Sequence, residues 1–177
     1  MRHIYWQLRI YISSVKMMET VKLLEYSEYL RHKYFESISA LPWDEVVKDR
    51  CASFSSLRDI YLHCVTVLDF YVNHVIQGDT SYPRINNEDY DSIEKIGMYA
   101  EQVESKANAY LSKVTPDELS RKIERKQRDG TSITVTVEDI LMDFFQEETH
   151  HRGEFIALLW QIDVRPPHLS WSRYLNK

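Results

Sequence analysis

The chain has 177 residues, 44% hydrophobic and 28% charged, enough for one buried core and ordinary for a globular domain that faces water. Its net charge is −5 and its only cluster of basic residues, Arg121 to Arg128, reads as a solvated strand, so nucleic acid is not an expected partner. No apolar run reaches the roughly 20 residues of a membrane span, and Cys51 and Cys64 are too few for a disulfide scaffold, so a cytoplasmic protein that leaves membranes alone is expected.

With four glycines and five prolines the chain favours helices over turns. The opening MRHIYWQLRIYISSVK is not a signal peptide, because Gln7 and Arg9 interrupt its apolar segment. Residues 1–17 are expected to be an extension, a helical lead-in with Met17 or Met18 as alternative starts, and residues 18–177 a single domain. The first helix is predicted from Met18 to Ala40 and ends at Leu41-Pro42, since the residue before proline avoids helical backbone. A loop through Trp43 and Cys51 follows. Ser55 or Ser56 then caps a second helix, Leu57 to about Ile76, which Gly78 stops. GDTSYPRINNEDYD is a polar loop.

A third helix is predicted over Ser92–Val114, interrupted by Thr115-Pro116. From Thr131 to Val137, Ile133, Val135 and Val137 alternate with Ser132, Thr134 and Thr136, the period of a strand. Asp129-Gly130 before it predicts a two-residue hairpin turn, with Arg121 to Arg128 as the partner strand. The fourth helix runs from Val137 to Ile162. The tail, DVRPPHLSWSRYLNK, is stiffened by proline and is expected to fold back over the bundle. The fold class is therefore all-α: a four-helix bundle with a small β-hairpin before its last long helix.

The fourth helix carries the chemistry. Val137, Ile140, Leu141, Phe144, Phe155, Leu158, Leu159 and Ile162 form one apolar stripe. At about 100° per residue His151 lies inside that stripe, Glu148 at its centre and Glu147 at its edge. Buried polar groups need partners. Glu147 and His151, four apart, share a face and can hold one metal ion; alternatively the glutamates are solvated and His151 is a hydrogen-bonded core residue. His150 points elsewhere. A further ligand has to come from the second helix, where His63 and His74 are eleven apart on nearly one face and only one of them reaches a given ion. Paired Glu-x-x-His motifs of a di-iron bundle do not apply, because both copies sit on one helix and Ile60 stands three residues before His63.

The run Glu147-Glu148-Thr149-His150-His151-Arg152-Gly153-Glu154 resembles the H-x-x-x-H-R-G-Q signature of the DinB/YfiT-like metalloenzymes. LEYSEYLR in the first helix, a histidine early in the second, the Gly-turn hairpin and Pro166-Pro167 after the signature agree with that resemblance. It implies metal ligands at His63, Glu147 and His151, with Glu147 in place of the family's first signature histidine and Glu154 in place of its glutamine. The resulting two-histidine, one-glutamate set suits a divalent transition metal: zinc or nickel first, iron or manganese next. Gly153 would leave room for a close neighbour. Arg152 is a candidate partner for Glu148 or a substrate anion, and Glu148 a candidate general base.

Three protein ligands leave positions open for water or substrate, as in catalytic sites. The resemblance implies a metal-dependent, thiol-dependent transferase or a hydrolase. Such an enzyme acts on a small electrophile, with a low-molecular-weight thiol deprotonated at the ion. A noncatalytic metal- or small-molecule-binding bundle and a purely structural helical protein are the alternatives. The resemblance, with twelve tyrosines and four tryptophans, also leads us to expect a homodimer.

Overall fold

The computed structural model describes residues 2–127 and 129–176, with side chains from Glu19 onward. Eleven helical and strand segments follow one another: α1 (Arg2–Ser39), α2 (Trp43–Val47), α3 (Leu57–Leu68), a π-helical segment (Asp69–Ile76), a 3-10 turn (Asn87–Asp89), α4 (Ile93–Leu111), α5 (Pro116–Leu119), β1 (Lys122–Lys126), β2 (Ser132–Thr136), α6 (Val137–Trp160) and α7 (Trp171–Leu175). The expected bundle of long helices and the hairpin before the last of them are present. Among the described residues no helix is long and apolar enough to cross a membrane.

Several boundaries differ from those expected. α1 begins at Arg2 instead of Met18, so the lead-in is continuous with the first helix; its side chains, His3, Met17 and Met18 included, lie outside the described set. The loop after Pro42 holds a short helix, in which Asp44 and Glu45 occupy the first turn. Ser56, one of the two predicted caps, accepts from the Asp59 amide. Ser92, Thr115 and Thr136 cap α4, α5 and α6 in the same way. At Thr136 the cap is reciprocal, since Asp139 accepts from the Thr136 amide.

β1 and β2 pair antiparallel, with Lys122 opposite Thr136 and Lys126 opposite Ser132. The hairpin closes on Gln127 N to Thr131 O at 2.7 Å, a wider closure than the predicted two-residue turn. Gly130 has φ +87°, which a longer loop with a left-handed glycine requires. Ile133 is exposed, Val135 half-buried and Val137 buried, so the strand's apolar face turns inward only as it enters α6.

The core lies where α1, α3, α4 and α6 meet, filled by Leu30, Ile38, Leu62, Ile96, Ile140, Phe144, Phe155 and Leu159. α3 is the central helix, with nine of its twelve residues buried. The remaining three, Asp59, His63 and Thr66, follow the spacing of a single helical stripe, so α3 opens to the exterior along one line. The tail folds back as expected: Trp171 and Tyr174 stack on Tyr26 at 5.1 and 5.2 Å.

Candidate metal centre

His63 stands on the open stripe of α3, and Glu147 and His151 stand one turn apart on α6 beside it. One ligand atom from each of the three lies within 4.8 Å of the other two. Glu147 Oε1 is 3.1 Å from His151 Nε2 and 3.6 Å from His63 Nε2. The second distance is too long for a hydrogen bond, and His63 Nε2, itself buried, has no hydrogen-bond partner among the described residues. Two helices thus deliver two imidazoles and a carboxylate to one point, with an orphaned ring nitrogen aimed at it.

His151 is the best-braced member. Its Nδ1 is 2.7 Å from Glu154 Oε2, whose other carboxylate oxygen accepts from the Ser53 hydroxyl. A neutral imidazole has one N–H, and here it faces a carboxylate on each side. Donation from Nδ1 to Glu154 leaves Nε2 with a lone pair pointing at Glu147, which needs a proton or a cation between them. This is the brace that metal-binding histidines use: the far nitrogen held by a carboxylate, the near one free to coordinate. Burial, helped by the neighbouring His151, lowers the His63 pKa from the ordinary histidine value and favours the neutral ring that a metal requires. The residues present fit a divalent transition metal.

Phe54, in the loop before α3, covers the site. Its ring centroid lies 4.3 Å from that of His63 and 5.0 Å from that of His151, and the two imidazoles are 4.3 Å apart, nearly perpendicular. Apolar cover limits water at the ligands and strengthens electrostatics there. Phe54, Ser53 and Glu154 were not among the expected site residues. The first two lie in an unpatterned SFSS stretch; Glu154, three residues after His151, had the spacing of a same-face partner.

The other expected residues have different places. Glu148 is fully buried and receives a hydrogen bond from Arg31 Nη1; Arg31 Nε donates to Glu104 Oε1 at 2.9 Å. Burial alone would lower the Arg31 pKa, but Glu148 and Glu104 reverse that and raise it. Glu148 is thus committed to α1, about 100° around the helix from Glu147. Arg152 is buried, not exposed. It bonds to the Glu148 carbonyl, to Thr149 Oγ1 at 2.7 Å and to Ser27 Oγ at 3.4 Å, and is in no position to meet a substrate anion. Gly153 faces open space, where an added Cβ would meet nothing within 4 Å, so no close approach requires it. His150 is exposed.

His74 is turned away from the site. The wider turn of the π-helical segment breaks the spacing that would have aligned it with His63. Its Nδ1 donates to the Asp79 carbonyl at 2.6 Å, and its ring stacks on Tyr82. A separate group, Glu28, His32 and Glu104, has ligand spacing too. There Glu104 already holds Arg31 and His32, and Glu28 accepts from Asn108.

The DinB family model matches residues 15–177. Among solved structures, the crystal structure of a DinB-like protein from Bacillus subtilis superposes with a TM-score of 0.61 at 19% identity, covering 85% of this chain and 96% of that one. A DinB-like protein from Bacillus cereus gives 0.57 at 18% identity, with 84% and 95% covered. At these identities the likeness is one of fold. No curated protein matches the chain.

Proposed function

We propose that this chain, which belongs to the DinB family, is a metal-dependent enzyme that joins a low-molecular-weight thiol to a small electrophile, or hydrolyses one. One observation carries the reading. Three donors from two helices converge within 4.8 Å, and one of them, His63 Nε2, is buried without a hydrogen-bond partner among the described residues. A divalent ion held there supplies Lewis acidity, which lowers the pKa of a thiol or water beside it. The remaining work falls to the chain. His63, Glu147 and His151 bind; Glu154 fixes the His151 ring; Phe54 keeps water from the ligands.

Glu147 is half-exposed while His151 is buried, so the site opens on the Glu147 side. A small reactant entering there meets the ligands without crossing the core. Among the described residues the carboxylate beside His63 on the open stripe of α3, Asp59, is already held by Arg58 and Asn87, which favours a mechanism whose nucleophile is activated by acidity alone.

The test is elemental analysis of untagged protein, followed by cobalt titration and turnover of a thiol with chlorodinitrobenzene. About one ion per chain is expected, and His63→Ala should lose most of the affinity, since two ligands rarely hold a transition metal against buffer. Unchanged affinity in His63→Ala would sink the ligand assignment. Metal binding without turnover would favour a noncatalytic binding bundle.

A further inference from the structure

A cleft of about 280 Å³ adjoins one of the metal ligands, His63, between the open stripe of α3 and the loop that follows the π-helical segment. His63 and Thr66 form its floor, Phe54 and Ile85 are apolar walls, and Tyr82 and Arg84 come from the loop. Its size, just under the roughly 300 Å³ of the smallest ligand sites, suits a small metabolite.

The loop is held as a wall. Asn87 Nδ2 donates to Asp59 Oδ1 at 3.0 Å, Arg58 Nη2 donates to Glu88 Oε1 at 2.6 Å, and Tyr82 stacks on Phe70 and His74. These contacts commit most of the polar groups around the cleft. Asp59, its one acidic side chain, also takes Arg58 Nε at 3.0 Å, and the Thr66 hydroxyl donates back to the α3 carbonyls of Leu62 and His63. Arg84 is different. Among the described residues it has no hydrogen bond and no ion pair, although the chain carries a net charge of −5 and acidic side chains are plentiful.

An uncommitted guanidinium lining the same cleft as a metal ligand is placed to bind the far end of whatever the ion holds by its near end. We propose that the cleft takes a small substrate bearing a carboxylate or similar anionic group, with Arg84 as its counter-ion and Phe54 and Ile85 against its apolar part. A planar, forked cation favours a carboxylate over a neutral hydroxyl. The inference rests on the metal reading above and adds the substrate's charge and the place where its far end lies.

The experiment uses the cobalt-loaded full-length chain and follows thiolate-to-cobalt absorbance. The probes are mercaptoacetate, 3-mercaptopropionate and 4-mercaptobutyrate, with neutral 1-thioglycerol as the reference. Each probe is compared between the parent protein and Arg84→Gln, so intrinsic differences in thiol acidity cancel. At least one mercapto acid should lose affinity fivefold or more in Arg84→Gln while thioglycerol changes less than twofold, and Arg84→Lys should recover part of the loss. Equal changes for charged and neutral thiols, or none, would overturn the proposal while leaving the metal site standing. Absence of any cobalt spectrum in the parent would overturn the metal reading and this proposal with it.

Discussion

Glu148→Gln separates a catalytic from an anchoring role for a residue that stands beside a ligand in sequence. Glu148 is fully buried and takes Arg31, which also holds Glu104. Removing one partner of a buried pair costs about 3–5 kcal/mol when it strands the other charge. Here Glu104 remains to neutralise Arg31, so the cost should fall at the lower end, about 3 kcal/mol. For a domain of this length each kcal/mol shifts Tm by about 2–4 °C, which gives a loss of about 6–12 °C in a thermal melt. Arg31→Met should cost at least as much, because it leaves Glu104 and Glu148 facing one another. The double variant should lose less than the sum, the sign of a shared interaction. Glutamine retains an acceptor for Arg31, so cobalt affinity should stay within about threefold of the parent. A Tm loss under about 2 °C, or strict additivity, would refute the anchoring role and return Glu148 to candidacy as a base.

Further expectations concern the ligands and the assembly. Glu147→His keeps the spacing and raises the site charge by one, so a bound thiol should titrate at lower pH; an unchanged or higher midpoint in cobalt absorbance would mean that Glu147 does not coordinate. In the metal-free protein, burial followed by the effect of His151 lowers the His63 pKa below its usual 6.5. The unfolded chain then binds more protons between the folded value and 6.5, so His63 favours folding less as pH falls through that window; an NMR midpoint at or above 6.5 would contradict this. We also propose a homodimer, for which the exposed Trp160 and Leu169 beside the folded-back tail offer apolar surface; sedimentation at micromolar concentration showing only a 21.2 kDa species would refute it.

Much of this architecture was legible in the sequence because it rests on local rules. A cap at Ser55 or Ser56, the alternation of β2 and the apolar stripe of α6 each follow from local spacing, whereas the caps at Ser92 and Thr136 emerge only in the structure. The placement of Glu148 at the centre of that stripe and Glu147 at its edge also followed from spacing, and their burial agrees. What spacing could not supply were partners distant in the chain. Arg31 is 117 residues from Glu148; its spacing, seven residues from both Leu24 and Ile38, places it on the apolar face of α1 but names no partner. Ser53, 101 residues from Glu154, is equally silent. The π-helical segment was hidden as well, because its sequence reads as an ordinary continuation of α3, and the lost register is what turns His74 away from the face of His63.

The two adjacent glutamates of α6 explain how one helix serves a core and a site together. Separated by about 100°, they cannot face the same neighbour, and the structure gives one to α1 and the other to α3. A carboxylate stands about 6 Å off the helix axis, so a twist of about 20° would carry Glu147 through about 2 Å. Metal ligands tolerate about 0.2 Å. Apolar packing alone permits small rotations, because leucine and phenylalanine find new contacts when a helix turns. A charge pair inside the core does not, since its partners must meet at hydrogen-bond distance or remain stranded. The Arg31–Glu148 pair adds little net stability over an apolar substitute. Its contribution is rotational: it fixes the angle at which α6 presents Glu147 and His151 to His63.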